Sequence, residues 1–201
     1  SKGCGITVEG TPGNDMGAFL NGATITVFGN AQDAAGNTMN DGKLIIHGNA
    51  GDVTGYAMRG GEIYIKGDVG YRTGIHMKEY AGKMPLIVIG GKTGDFLGEY
   101  MAGGVMIILG MNLAGKEDAI GSFCGTGMHG GTIYIRGEVM PYKLGKEVCM
   151  QEADEREMQV IGRYVADFAR CFGYSANDIL DGRFQVLKPL NSRPYGNLYA
   201  Y

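Results

Sequence analysis

Several signals that usually announce a function are missing from this chain. Four cysteines (Cys4, Cys124, Cys149, Cys171) form no Cys-x-x-Cys pair, which argues against a thiolate metal site and against a disulfide framework. Eighteen basic residues against 21 acidic ones give a net charge of −3, with no basic cluster. That balance argues against a nucleic-acid or anionic-membrane surface. No apolar run reaches membrane-spanning length, and the opening Ser1-Lys-Gly-Cys-Gly5 does not read as a signal peptide. Free thiols without a leader predict a cytoplasmic protein. The three histidines, His47, His76 and His129, fall at different places in the pattern described next, so spacing assembles no His–carboxylate or Cys–His pair.

What the chain has is glycine, 37 residues of it, held in register between apolar segments. A variation on Gly-x-x-Met-x-x-Gly-x-Ile-x-Val-x-Gly recurs six times in the first 137 residues. The closing glycines read as Gly29, Gly48, Gly67, Gly90, Gly110 and Gly137, giving differences of 19, 19, 23, 20 and 27. The basal period is therefore 19, and the longer intervals carry insertions at Glu79–Pro85 and around Leu113–Asp118. Such a period is too short for two packed helices. It ends each time in alternation, as in Leu44-x-Ile46 and Ile63-x-Ile65, which places every second side chain on one face of a strand. Strands and glycine corners stacked at a fixed period predict an all-β solenoid, a parallel β-helix of about six coils. The predicted division is residues 1–140 for the β-helix and 141–201 for a helix and strand appendage. Met39, Met58, Met77, Met101 and Met128 share one repeat position and should form an internal column, since flexible thioethers fill an irregular core well.

Leu86–Ile89 and Val105–Leu109 are apolar on both faces, so both should be covered. Either the C-terminal segment or another subunit is expected over Ile87, Ile89, Ile107 and Leu109, which makes these four the candidate interface. From Asp154 the spacing turns helical through Met158, Ile161, Val165, Phe168 and Phe172, with Asp154 and Glu157 as a capping pair and Gly173 as the stop. A second short helix is expected from Ser175 to Leu180, then a strand over Phe184–Leu187.

Motifs that suggest chemistry have plainer readings. Gly125-Thr-Gly127-Met-His-Gly130 satisfies Gly-x-Gly-x-x-Gly, but it precedes a strand where a dinucleotide site needs a helix. Gly91-Lys92-Thr93 resembles a phosphate loop, yet Leu86 stands where that loop needs glycine. Asp33, Asp52 and Asp95 could stack as calcium ligands; carboxylates accepting from corner amides explain them better. No catalytic, cofactor-binding or metal-binding residue is assigned.

Gly51-Asp-Val-Thr-Gly55-Tyr-Ala-Met58-Arg-Gly-Gly61, Gly70-Tyr-Arg-Thr-Gly74-Ile-His-Met77 and Gly94-Asp-Phe-Leu-Gly98-Glu-Tyr-Met101-Ala-Gly-Gly104 resemble the C-terminal GXGXG domain of the large chain of glutamate synthase. The resemblance extends through Phe172–Leu180 and Phe184–Pro189. It implies a right-handed β-helix without its own active site, in a free-standing version similar to that of the split archaeal enzymes. The implied role is scaffolding in glutamate biosynthesis and nitrogen assimilation, between a glutaminase-type amidotransferase chain and an FMN/iron–sulfur glutamate synthase chain. FMN and the iron–sulfur cluster would then sit on those partners. The repeat also resembles the C-type component of formylmethanofuran dehydrogenase, whose partners carry molybdenum or tungsten. An autonomous carbohydrate-active enzyme is the alternative from another class; it would need clustered exposed carboxylates.

Overall fold

The computed structural model describes residues 3–115 and 117–191; Lys116 of the second insertion, and Ser1 and Lys2 of the opening stretch, lie outside them. Seven strands stack in parallel and in register: β1 (Gly5–Glu9), β2 (Asn21–Phe28), β3 (Asp41–Ile46), β4 (Glu62–Ile65), β5 (Leu86–Ile89), β6 (Ala102–Ile108) and β7 (Gly130–Arg136). A 3-10 turn at Pro141–Lys143 leads to β8 (Val148–Glu152), and helices α1 (Glu155–Phe172) and α2 (Ala176–Leu180) precede β9 (Phe184–Pro189). β9 runs antiparallel to β7, and β8 antiparallel to β9, so one nine-stranded sheet has the order β1-β2-β3-β4-β5-β6-β7-β9-β8.

This architecture corrects the expectation of an all-β, right-handed parallel β-helix. The fold is a mixed sheet, mostly parallel, with short helices. Two causes can be traced. Each repeat contributes one strand, and the rest of it is turn, because non-glycine residues there take left-handed φ values such as 50° at Val53 and 55° at Arg72, incompatible with a strand. The C-terminal segment reverses direction and adds both antiparallel strands and helices to the sheet.

The turns still stack. Ala34 N–H donates to Asp52 O at 2.8 Å, Val53 N–H to Tyr71 O at 2.8 Å, and Arg72 N–H to Asp95 O at 2.9 Å. Between this turn layer and one face of the sheet lies the first core, which holds Met39, Met58, Met77, Met101 and Met128, all fully buried. The methionine column is a packing device, as its spacing predicts. A second core fills the other face, where Tyr64, Val88, Ile107, Leu109 and Tyr134 meet Ile161, Tyr164, Val165 and Phe168 of α1. Asp154 caps α1 by accepting from Glu157 N–H at 2.8 Å, and Gly173 ends it at φ 74°, the left-handed residue a helix stop requires.

One buried hydroxyl stands out as costly. Thr93 is buried, and its hydroxyl has no partner among the described residues, whereas Thr54 and Thr73 donate to Gly51 O and Gly70 O. An unsatisfied buried hydroxyl costs about 1–3 kcal/mol. Thr93→Val should therefore stabilise the protein by about 1 kcal/mol, raising Tm by roughly 2–4 °C. A fall in Tm on thermal melting would show that the hydroxyl has a partner in solution.

Candidate functional site

The four candidate interface residues lie inside the chain. Ile87 pairs with Ile63 and Met106, and Ile89 with Ile65 and Ile108, so Ile87 and Ile89 point into the methionine core. Ile107 and Leu109 face the other way, beneath α1. All four are fully buried, and the cover over Ile107 and Leu109 is the C-terminal segment. A one-residue slip explains the mixed parity. Gly91 N–H donates to Gly67 O and Gly110 N–H to Gly91 O, so Gly91, not Gly90, closes the fourth repeat. Gly90 is instead the place where a side chain would meet Lys66 O and the Phe168 ring at 2.9 Å.

The aspartates and asparagines at the corners have a structural occupation. Asp33 Oδ1 accepts from Asp52 N–H at 2.9 Å and Asp52 Oδ1 from Tyr71 N–H at 2.8 Å, each 19 residues on. Asp95 Oδ1 accepts from Ser122 N–H at 2.7 Å across 27 residues. A second ladder runs from Asn30 through Asn49 and Asp68 to Lys92 N–H, where the interval is 24. These oxygens crowd Gly48, Gly51, Gly67, Gly70, Gly91 and Gly121, where a Cβ would overlap them. Glycine at these corners is thus required by close approach. No group of three or more His, Cys, Asp or Glu side chains is placed to hold a metal among the described residues.

The nucleotide-like motifs are corners as well. Gly130 opens β7 and no helix, and a side chain at Gly127 would strike the Tyr100 ring. Lys92 is paired with Glu117 at 3.0 Å, which holds the lysine's pKa above and the glutamate's below their ordinary values. Cys124 is buried, and desolvation pushes its thiol up to about 12, far from a reactive thiolate. Burial and the neighbouring Glu62 likewise raise the Tyr64 phenol, and burial with Glu157 raises Tyr134. Tyr134 and Lys188 both bond Glu157, tying α1 to β7 and β9. Burial, with Lys66 adding to it, lowers His47, whose ring stacks on Phe28 at 4.5 Å.

What remains distinctive is the surface of the turn layer. Phe19, Arg72, His76, Phe96, Tyr100 and Phe123 all hold left-handed φ values between 53° and 61°. Each such bulky residue costs of order 1–3 kcal/mol and persists only where its surroundings over-determine it. The side chains of all but Phe19 stack along the repeat axis. His76 lies on Tyr100 at 5.3 Å with Tyr56 edge-on at 6.0 Å, and Phe96 lies on Phe123 at 5.0 Å with Arg72 over it at 4.6 Å. Tyr56, Tyr71, Tyr100 and Phe123 are substantially exposed. Sequence reasoning by single motifs missed this face; reading the repeat in columns finds it, since Arg72, Phe96 and Phe123 occupy one position and His76 and Tyr100 another. The arrangement has the makings of a contact surface and lacks convergent acid, base or nucleophile.

A model of the GXGXG motif matches residues 2–189. An uncharacterized protein of Methanocaldococcus jannaschii is 45% identical over 200 residues, spanning 97% of this chain and 77% of that protein. Among solved structures, a chain of the formyltransferase/hydrolase complex from Methylorubrum extorquens, determined in complex with methylofuran, is similar with a TM-score of 0.62 and 25% identity. The likeness covers 90% of this chain and 71% of that one.

Proposed function

Because the chain belongs to the GXGXG motif family, that of the C-terminal domain of the large chain of glutamate synthase, we propose that it is a non-catalytic scaffold of a glutamate synthase complex. In this reading it joins a glutaminase-type amidotransferase chain to an FMN/iron–sulfur chain that forms glutamate from 2-oxoglutarate. The observation that carries the reading is the match along nearly the whole chain. The spending of the repeat on ladders and packing supports it, because its polar side chains are committed to corner amides. The flavin and the cluster then belong to the partners. This chain's own thiols do not suit a cluster: Cys4 precedes β1 and Cys149 lies in β8, at opposite edges of the sheet, Cys171 lies in α1, and Cys124 is buried. A cluster needs its thiolates together. No helix among the described residues is long and apolar enough to cross a membrane; a cytoplasmic location with reduced thiols belongs to the same reading.

The likeness to a chain of a formyltransferase/hydrolase complex favours a second reading, a component similar to the C-type chain of a formylmethanofuran dehydrogenase-type assembly. One experiment separates the two. The tagged chain is isolated from its native cell and its partners are identified by mass spectrometry and cofactor content. Flavin, iron and glutamine-dependent glutamate formation are expected; molybdenum or tungsten would select the second reading. Recovery as a lone protein that turns over a glycan by itself would overturn both.

A further inference from the structure

Two cations on the corner that follows the methionines have no anionic partner among the described residues. Arg59 N–H donates to Met39 O at 2.8 Å and Lys78 N–H to Met58 O at 3.0 Å, so they occupy equivalent places on adjacent repeats. That register sets their backbones about 4.8 Å apart. Most other basic side chains of the stack have partners of their own: Lys43 pairs with Glu62, Arg72 with Glu99, Lys83 with Asp41 and Lys92 with Glu117, while Lys66 lies over the Tyr174 ring and Arg136 donates to Ile179 O. Arg59 lies instead over the Tyr80 ring, 5.7 Å from its centre, and its Nε is buried without an acceptor.

Tyr80 comes from the first insertion. It exchanges backbone hydrogen bonds of 3.1 and 3.0 Å with Lys83 across Ala81 and Gly82, whose φ values are 52° and 73°. This is a tight hairpin turn. Lys83 Nζ pins the hairpin to the start of β3, two repeats back, reaching Asp41 Oδ2 at 3.0 Å and Asn40 O at 3.3 Å. The insertion therefore holds the guanidinium in place before any partner arrives, which lowers the ordering cost of binding. The one carboxylate on the same insertion, Glu79, is directed at Gly104 N–H at 3.2 Å. Next along the surface stand exposed His76 and the rings of Tyr56 and Tyr100.

We propose that Arg59 and Lys78, bordered by Tyr80 and the Tyr56–His76–Tyr100 ladder, form the docking surface for an acidic segment of a partner chain. The assignment rests on the scaffold reading above and adds the face that receives a partner. An arginine fork matches a carboxylate in geometry, and an acceptor at the guanidinium would relieve the cost of its unpaired nitrogen. Two like charges on neighbouring repeats repel, and an anion between them turns that repulsion into attraction. Aromatic rings at the border supply contact area at little entropic cost.

The test is a titration of the isotope-labelled chain, followed by NMR, with hexaglutamate as probe and with hexaglutamine and inorganic phosphate as controls. Hexaglutamate should shift Arg59, Lys78, Tyr80 and His76. Arg59→Ala/Lys78→Ala should bind it about tenfold more weakly, two surface charges together being worth about 1.4 kcal/mol. Lys92→Ala should bind as the wild type does, and well-dispersed spectra establish that each variant is folded. Shifts scattered over the surface, an equal response to hexaglutamine, undiminished binding by the double variant, or saturation by phosphate alone would each overturn the proposal. The outcome is separable from that of the scaffold reading. Failure to recover partners leaves the titration readable, and partners recovered equally well by the double variant dismiss this surface only.

Discussion

Gly70→Ala should destabilise the protein by about 3 kcal/mol, although the position requires no unusual backbone angle. A Cβ there would overlap Asp52 Oδ1 and stand 2.9 Å from Asp52 N. That oxygen is bonded to Tyr71 N–H at 2.8 Å. The alanine must therefore expel the carboxylate, leave an amide unpaired and push two repeats apart, a combination of overpacking and lost hydrogen bonding. Gly82→Ala offers the contrast, since its φ is 73° but nothing lies within 4 Å of the added atom. It should cost about 1 kcal/mol, the conformational term alone. Removing the clashing oxygen with Asp52→Ala should make the double variant Asp52→Ala/Gly70→Ala more stable than the sum of the single losses, by about 1 kcal/mol or more. Chemical denaturation of the four proteins measures the cycle; additive losses would mean that the ladder is not what demands glycine.

Phe168→Ala should cost about 3–5 kcal/mol, the range for deleting a fully buried ring, and the loss should be local in its first effect. Phe168 stands at the centre of the core between α1 and the sheet. Its ring meets Phe172 at 4.9 Å and Tyr174 at 6.0 Å and rests on Gly90. Hydrogen exchange should show α1 amides losing protection while β3 and β4, stacked on the methionine core, keep theirs. Equal loss of protection in α1 and β3 would show the two cores to be a single cooperative unit.

These two residues mark how far the amino-acid order can be read. Period 19, the methionine column and the caps of α1 are legible because each depends on neighbours in the chain or on one repeated spacing. Asp154 and Gly173 act within a turn of the helix they bound. Strand β1 carries the same strand signal, Ile6-x-Val8-x-Gly10 standing one period of 19 before Ile25-x-Val27-x-Gly29, but no Gly-x-x-Met unit precedes it to mark it as a copy. Strand β8 leaves no such signal, because Val148–Glu152 finds its partner only in β9, far along the chain, as the Cys149–Lys188 separation of 39 shows. Ile87 is misread for a related reason. In Leu86–Ile89 every residue is apolar, so the alternation that assigns faces vanishes, and only pairing with Ile63 and Met106 sets its direction.

By itself the sequence determined that this chain stacks, what fills the stack and where it is interrupted, because a repeat imposes one local geometry at equivalent positions. Tertiary structure alone decided what lies over each side of the sheet, that the class is mixed and not all-β, and that Arg59 is held on Tyr80 with no anion beside it among the described residues. Those outcomes depend on contacts between segments whose separation in the chain carries no periodic signal, and such contacts are settled only when the stack is assembled.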